Sequence, residues 1–193
     1  IDTVSHQNSI NSKIPYSIYE KCSFLNKEPS YFEYAAFYGA VRIFKYLIAN
    51  KISPSFNLSF FAVAGGNIEI IHLCEQIECN LTSSLNAALL FHQKAVLDYF
   101  LNQDFDFLND SIYYCIEGYN FEYFYQLLEK QNFDRNKEIC DHETLLIYTM
   151  KHLYSEFGIA FLSLSGLDFN RVDIFGISKY YFFLIALQFI GLL

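Results

Sequence analysis

Tyr34-Ala35-Ala36-Phe37-Tyr38-Gly39-Ala40-Val41-Arg42-Ile43-Phe44-Lys45-Tyr46-Leu47 and Phe61-Ala62-Val63-Ala64-Gly65-Gly66-Asn67-Ile68-Glu69-Ile70-Ile71-His72-Leu73-Cys74 align without a gap. Each places a small residue, then a turn Gly four positions later, then an apolar-rich run. Two looser copies follow. One pairs Ala87-Ala88 to His92 with Ala95-Val96-Leu97-Asp98-Tyr99-Phe100-Leu101; the other pairs Tyr114-Cys115 to Tyr119 with Asn120-Phe121-Glu122-Tyr123-Phe124-Tyr125-Gln126-Leu127-Leu128. Taking Ala35, Ala62, Ala88 and Cys115 as equivalent anchors, the copies are 27, 26 and 27 residues apart. A fixed period of this length is the signature of a repeat architecture built from one supersecondary unit.

Within each copy the apolar residues fall at helical intervals on both sides of the turn, as in Val41, Phe44, Leu47 and Ile48, or Ile68, Ile71 and Cys74. Each unit therefore reads as two short antiparallel helices. Helices of about ten residues are marginal alone in water, so neighbouring pairs must stack to cover their apolar faces. The small anchors let first helices approach closely, and a bulky residue there should force the stack apart. Gly39 and Gly66 take positive φ at no steric cost and end the first helix sharply. His92 and Tyr119 must reach the same bend at some cost.

Toward the C-terminus, Thr144-Leu145-Leu146-Ile147-Tyr148-Thr149 reads as a helix start, and Phe157-Gly158-Ile159-Ala160-Phe161-Leu162 as a second helix. Gly166-Leu167-Asp168-Phe169-Asn170 and Asp173-Ile174-Phe175-Gly176-Ile177-Ser178 follow, and resemble the Gly-x-Asp-Val-Asn ending of an ankyrin repeat and the Asp-x-x-Gly-x-Thr turn that opens the next one. These residues resemble the ankyrin repeat, and Phe183-Leu184-Ile185-Ala186-Leu187-Gln188 resembles the first helix of a further, truncated unit. Anchors Thr149 and Ala186 are 37 residues apart, near the family period of about 33. The shorter steps upstream imply that the protruding β-turn finger is trimmed from the first four units. With Glu28-Pro29-Ser30-Tyr31-Phe32-Glu33-Tyr34-Ala35-Ala36, the chain is similar to degenerate, short-repeat ankyrin-like families of protists. The resemblance implies an all-α, ankyrin-like solenoid of about five to six stacked antiparallel helix pairs. Residues 1–27 would form a polar start and a short capping helix over Ile14-Pro15-Tyr16-Ser17-Ile18-Tyr19-Glu20-Lys21-Cys22. Residues 28–131 would form four short repeats, and residues 132–193 one more regular repeat and a truncated sixth.

The 193 residues are 53% hydrophobic, with 21 Phe and 16 Tyr, so aromatic rings must dominate the packing. Net charge is −8 with 13 Lys plus Arg, scattered, which provides no basic footprint for nucleic acid. The cysteines, Cys22, Cys74, Cys79, Cys115 and Cys140, are odd in number and show no Cys-x-x-Cys spacing. Reduced thiols and an intracellular, cytoplasmic setting are the expectation. No charged-then-apolar leader follows Ile1.

His72, Cys74 and Cys79 are neighbours in sequence, but their spacing is no zinc pattern. The five His residues stand near no nucleophile signature, so the cysteines read as buried thiols. Asp104, Asp106, Asp134, Glu138, Asp141 and Glu143 read as a solvated rim. Gly65-Gly66 sits in a helix turn and belongs to no phosphate loop. No metal, cofactor or enzymatic activity is expected. The apolar run over residues 180–193 is shorter than the about 20 residues that span a bilayer, which favours a truncated repeat helix over a membrane contact.

The expected function is that of a non-enzymatic scaffold for protein–protein interaction, with a membrane-associated protein or a regulatory part of a larger protein as alternatives. An ankyrin-like stack offers an extended surface made by first helices and inter-unit loops. The positions flanking each anchor are Glu33 and Phe37, Phe60 and Val63, Asn86 and Leu89, and Tyr114 and Glu117; the apolar members fit plain packing as well. The partner would be a protein or peptide, neutral or basic to match the acidic balance, and held less tightly as salt rises.

Overall fold

The structure is a computed structural model that describes residues 13–26, 28–102, 111–129, 134, 136, 138–140, 143–152 and 154–162. It divides into two compact units, Ile1–Asp106 and Phe107–Leu193, a division falling between the third and fourth copies of the sequence pattern.

The first unit contains three helix pairs among its described residues: α1 (Tyr31–Phe37) with α2 (Val41–Ala49), α3 (Leu58–Gly65) with α4 (Ile68–Gln76), and α5 (Leu85–Leu90) with α6 (Lys94–Leu101). A single 3-10 turn, Thr82–Ser84, precedes α5. α1 packs on α3 and α3 on α5, while α2 packs on α4. First and second helices bury themselves differently. In α2 only Phe44 and Leu47 are fully buried, and Arg42, Ile43, Lys45 and Tyr46 face water. In α3, by contrast, Leu58 and Phe61 through Ala64 are all buried, because helices cover it on both sides. Burying a Leu, Ile or Phe contributes about 1.5–3 kcal/mol, whereas helices this short have little stability of their own. The anchors Ala35, Ala62 and Ala88 are buried, as the small-residue argument requires.

The turns inside the first four pairs share a left-handed residue, and at Ala62 the carbonyl accepts from Gly66 N–H at 3.2 Å. Gly39, Gly66, His92 and Tyr119 have φ of 65°, 72°, 56° and 54°, so His92 and Tyr119 adopt the left-handed bend expected of them. The anchor carbonyl closes the turn: Ala40 N–H donates to Ala35 O at 2.8 Å, Gln93 N–H to Ala88 O at 2.8 Å, and Asn120 N–H to Cys115 O at 2.7 Å. This is the six-to-one bond that satisfies a terminal carbonyl beyond a left-handed residue. The second helices end in the same way. Lys51 and Glu78 have φ of 55° and 58°, with Ile52 N–H on Leu47 O at 3.2 Å and Cys79 N–H on Cys74 O at 2.9 Å.

The second unit begins with α7 (Ser111–Glu117) and α8 (Phe121–Glu129), passes through β1 (Glu138–Cys140) and β2 (Glu143–Thr144), and continues into α9 (Leu145–Lys151) and α10 (Ser155–Leu162). Among the described residues the regular elements are helical, as expected, apart from one short antiparallel pair, in which Glu138 faces Thr144 and Cys140 faces Glu143. Tyr154 N–H donates to Thr149 O at 2.8 Å, repeating the closure seen at the earlier anchors. Rings join the two helix pairs: Tyr113 to Tyr148 at 5.0 Å, Phe124 to Phe157 at 4.7 Å, and Phe121 stacked on Phe157 at 4.2 Å.

The expected capping helix over residues 14–22 is not formed; these residues run as turns. The reason is local competition. Ile14 precedes Pro15 and is biased toward extended backbone, and its N–H pairs with Pro29 O at 2.8 Å. Ser17 Oγ accepts from Tyr19 N–H at 3.2 Å and Glu20 Oε1 from Cys22 N–H at 2.9 Å. Such side-chain bonds offer the backbone an alternative to helix. Among the described residues no helix is long and apolar enough to cross a membrane. The Gly166-to-Asn170 ending, the Asp173-to-Ser178 turn and the apolar run at 180–193 lie outside the described residues.

Candidate interaction surface

Glu33, expected on the binding face, is instead part of the start of α1. Its Oε2 accepts from Ser30 N–H at 2.6 Å while Ser30 Oγ accepts from Glu33 N–H at 3.2 Å, and Ser55 Oγ donates to Oε1 at 2.6 Å. The reciprocal pair is a capping box, and both carboxylate oxygens are engaged in a residue 6% exposed. Val63 and Leu89, also expected on the face, are 0% exposed. They belong to the core because α3 lies between α1 and α5, and α5 packs on α3 and α6.

Phe37 and Phe60 come together, with Phe91 at the end of α5. Phe37 lies 5.6 Å from Phe91 and 6.4 Å from Phe61, and Phe60 lies 6.1 Å from Phe91, mostly edge to face. Such tilted pairs add about 0.5–1.5 kcal/mol each beyond area burial. Phe24 sits against this cluster, 5.4 Å from Phe60 and 5.3 Å from Phe91. Beside it the rings of Tyr34 and Tyr38 lie 4.7 Å apart, and both hydroxyls donate to Glu20, at 3.0 Å and 2.9 Å. The Cys22 N–H, then the Tyr38 and Tyr34 hydroxyls, hold the Glu20 carboxyl below its ordinary range. In return the bond to Glu20 pushes the Tyr34 phenol up, and desolvation together with Glu20 pushes up that of Tyr38. Phe60 also borders a cleft of ≈ 670 Å³ between the loops around Pro54 and Cys79.

Asn86 is half-buried in α5. In the second unit Tyr114 is half-buried against Tyr113 at 5.3 Å. Glu117 accepts from the Tyr148 hydroxyl and, at 3.2 Å, from that of Tyr154. Burial first, and the carboxylate next, push the Tyr148 phenol well up and that of Tyr154 up to about 12. Thus both units hold a carboxylate between two phenols. A third carboxylate, Glu75, accepts from Tyr99 at 2.9 Å beside His72 at 3.0 Å. With 21 acidic side chains against 13 Lys plus Arg, tyrosine hydroxyls supply donors that cations do not.

Burial pushes the Cys74 and Cys79 thiols up, and that of Cys115 up to about 12, so these three are not activated. Cys74 and Cys79 occupy the helix-end positions of Leu47 and Ile52, where an apolar contact commonly accompanies the closure. Among the described residues no group of three or more His, Cys, Asp or Glu side chains could hold a metal ion. Residues 48–128, from the end of α2 to the end of α8, match the family described as Domain of unknown function (DUF3447), a domain found in ankyrin-repeat-containing proteins. No curated protein and no solved structure matches the chain.

Proposed function

We propose that the chain is a non-enzymatic protein-binding module, an ankyrin-like solenoid whose first helices and inter-pair loops present the recognition surface. The observation that carries this reading is the recurrent turn closure. It comes at Ala35, Ala88 and Cys115, two short periods and then one apart, with the Ala62 carbonyl between them bonded to Gly66 N–H, and again at Thr149, 34 residues after Cys115. The longer last step contains the hairpin of β1 and β2, which fits a β-turn finger present there and trimmed upstream. Repeats near this longer period are the ankyrin norm of about 33 residues. The DUF3447 match over 48–128 and its occurrence in ankyrin-repeat-containing proteins support the same reading. The raised pKa values of Cys74, Cys79 and Cys115 argue for packing roles for these three and against nucleophilic ones.

The partner is a protein or peptide, neutral or basic overall, drawn by the net charge of −8 and released by salt. Photo-reactive residues placed at Tyr38, which caps the end of α1, and at Asn86 in α5 should crosslink a discrete protein in a salt-sensitive way. The same residues at Tyr46 and Gln76, exposed on second helices, should not. Equal labelling from both sets, or none from the first, refutes the assignment of the surface.

A further inference from the structure

We propose that residues 14–26 occupy a recognition face of the first unit as an internal ligand, and that this face takes a partner segment carrying a carboxylate and, four residues on, an aromatic ring. The inference rests on the reading of the chain as a protein-binding module and deepens it.

The segment is attached like a strap. Its ends are drawn together by the Ile14 N–H to Pro29 O bond and the bridge between Lys13 and Ser30, the form of a compact loop with closed ends. Its own backbone bonds are local, Glu20 N–H to Ser17 O and Leu25 N–H to Cys22 O. Tyr16, Ile18 and Tyr19 are 62%, 77% and 85% exposed, so these large side chains contribute little to holding it down. Glu20 and Phe24 make hydrogen-bond and ring contacts with the helix pairs, and Leu25 is buried. A segment with so few buried contacts opens locally at low cost.

The face beneath is specific. Two phenol donors, Tyr34 and Tyr38, converge on one carboxylate, and Phe60 and Phe91 receive one ring. Phenols are neutral donors, so this pair accepts a carboxylate without needing a cation. The spacing from Glu20 to Phe24 sets the pattern a competing segment must carry. Overall charge governs the approach of a neutral or basic partner, while these hydroxyls govern which of its segments seats here.

The test uses the full chain and a fluorescein-labelled peptide with the sequence of residues 16–26. A tethered segment competes at an effective concentration of the order of millimolar, so the wild type should bind the peptide at least about tenfold more weakly than a Glu20→Gln/Phe24→Ala variant. Adding Tyr34→Phe and Tyr38→Phe should abolish that gain, with circular dichroism melts verifying the fold of each variant. Independently of any substitution, excess peptide should speed hydrogen exchange at residues 14–26 of the wild type. The proposal is overturned by equal affinities for wild type and variant, by no binding at millimolar peptide, or by unchanged exchange. A concentration-dependent dimer of the wild type that protects the same residues would overturn the choice of a foreign partner. Crosslinking from Asn86 that succeeds while the peptide fails would sink this inference and leave the module reading standing.

Discussion

In the first unit α1 and α3 come close enough for Gly65 to touch backbone, with a ring cluster of Phe37, Phe60 and Phe91 beside that contact, whereas in the second unit the joins between helix pairs are made through rings. A Cβ on Gly65 would lie 2.4 Å from Ala36 O and 2.6 Å from Phe37 O, which leaves no room for a side chain at that position. In the second unit Tyr113 and Tyr148, and Phe157 with Phe121 and Phe124, fill the space between pairs, and Glu117 is held by phenols. A left-handed intra-pair turn occurs in both. One hairpin of helices therefore accommodates two ways of joining its neighbour, and the conserved geometry resides in the turn and the anchor carbonyl.

The largest way to break this comparison is Gly65→Ala. Within a helix the change alone would gain about 1 kcal/mol, but the Cβ meets backbone oxygens that cannot swing aside. A net loss of roughly 3 kcal/mol is expected, the upper range for overpacking, read as a lower urea midpoint at unchanged slope. A stabilised variant would show that α1 and α3 do not need their close contact.

Tyr148→Phe probes the other mode. It removes a donor from Glu117 in a buried setting, where a lost partner costs about 1–3 kcal/mol. It also carries a pH signature. A free phenol titrates near 10, while in the fold burial and Glu117 keep the Tyr154 proton up to about 12 and the Tyr148 proton higher. The folded state then binds more protons than the unfolded one, so this stabilisation is complete below pH 10 and declines as pH rises through the folded values. Alkaline unfolding followed by circular dichroism should be steeper in the wild type than in Tyr148→Phe; identical slopes would remove the phenol cluster from the account.

Gly39→Ala is expected to cost about 1 kcal/mol from its φ of 65°, since its Cβ would come only within 3.2 Å of the Asn67 side-chain nitrogen, a group able to give way. A loss as large as that of Gly65→Ala would mean that the turn residue, and not the helix contact, limits the stack.

The anchors and the bend were legible because both are local. Ala35, Ala62, Ala88 and Cys115 recur at a fixed step, and a turn residue follows each by four positions, including His92 and Tyr119 where the glycine is missing. Glu33 was legible in another sense: Ser30-Tyr31-Phe32-Glu33 is a capping-box pattern, and reading it as surface overlooked that signal. Val63 and Leu89 were misplaced because helical periodicity identifies an apolar side without saying that a central helix has two covered sides. The phenol clusters left no local trace, since Tyr38 lies 18 residues from Glu20, and Tyr148 and Tyr154 lie 31 and 37 residues from Glu117. Only the stacking of pairs brings them together.

His92→Gly sharpens the comparison most finely. His92 holds φ of 56° in the turn that Gly39 and Gly66 make freely, and a left-handed conformation costs a residue with a Cβ roughly 1 kcal/mol. Glycine removes that cost but widens the unfolded ensemble, and the two effects oppose each other. His92 is exposed, and the strain relieved is set against the contacts it makes, so a net gain of at most about 0.5 kcal/mol is expected. Tyr119 is the internal control: its ring lies 5.4 Å from Tyr154 and 6.1 Å from Phe157, so Tyr119→Gly should lose those contacts and stabilise less, or destabilise. Melting both variants beside the wild type separates the cost of the bend from the value of the ring. If His92→Gly were destabilising by as much as Tyr119→Gly, the bend would carry no strain, and drift away from glycine along the repeats would need another physical cause.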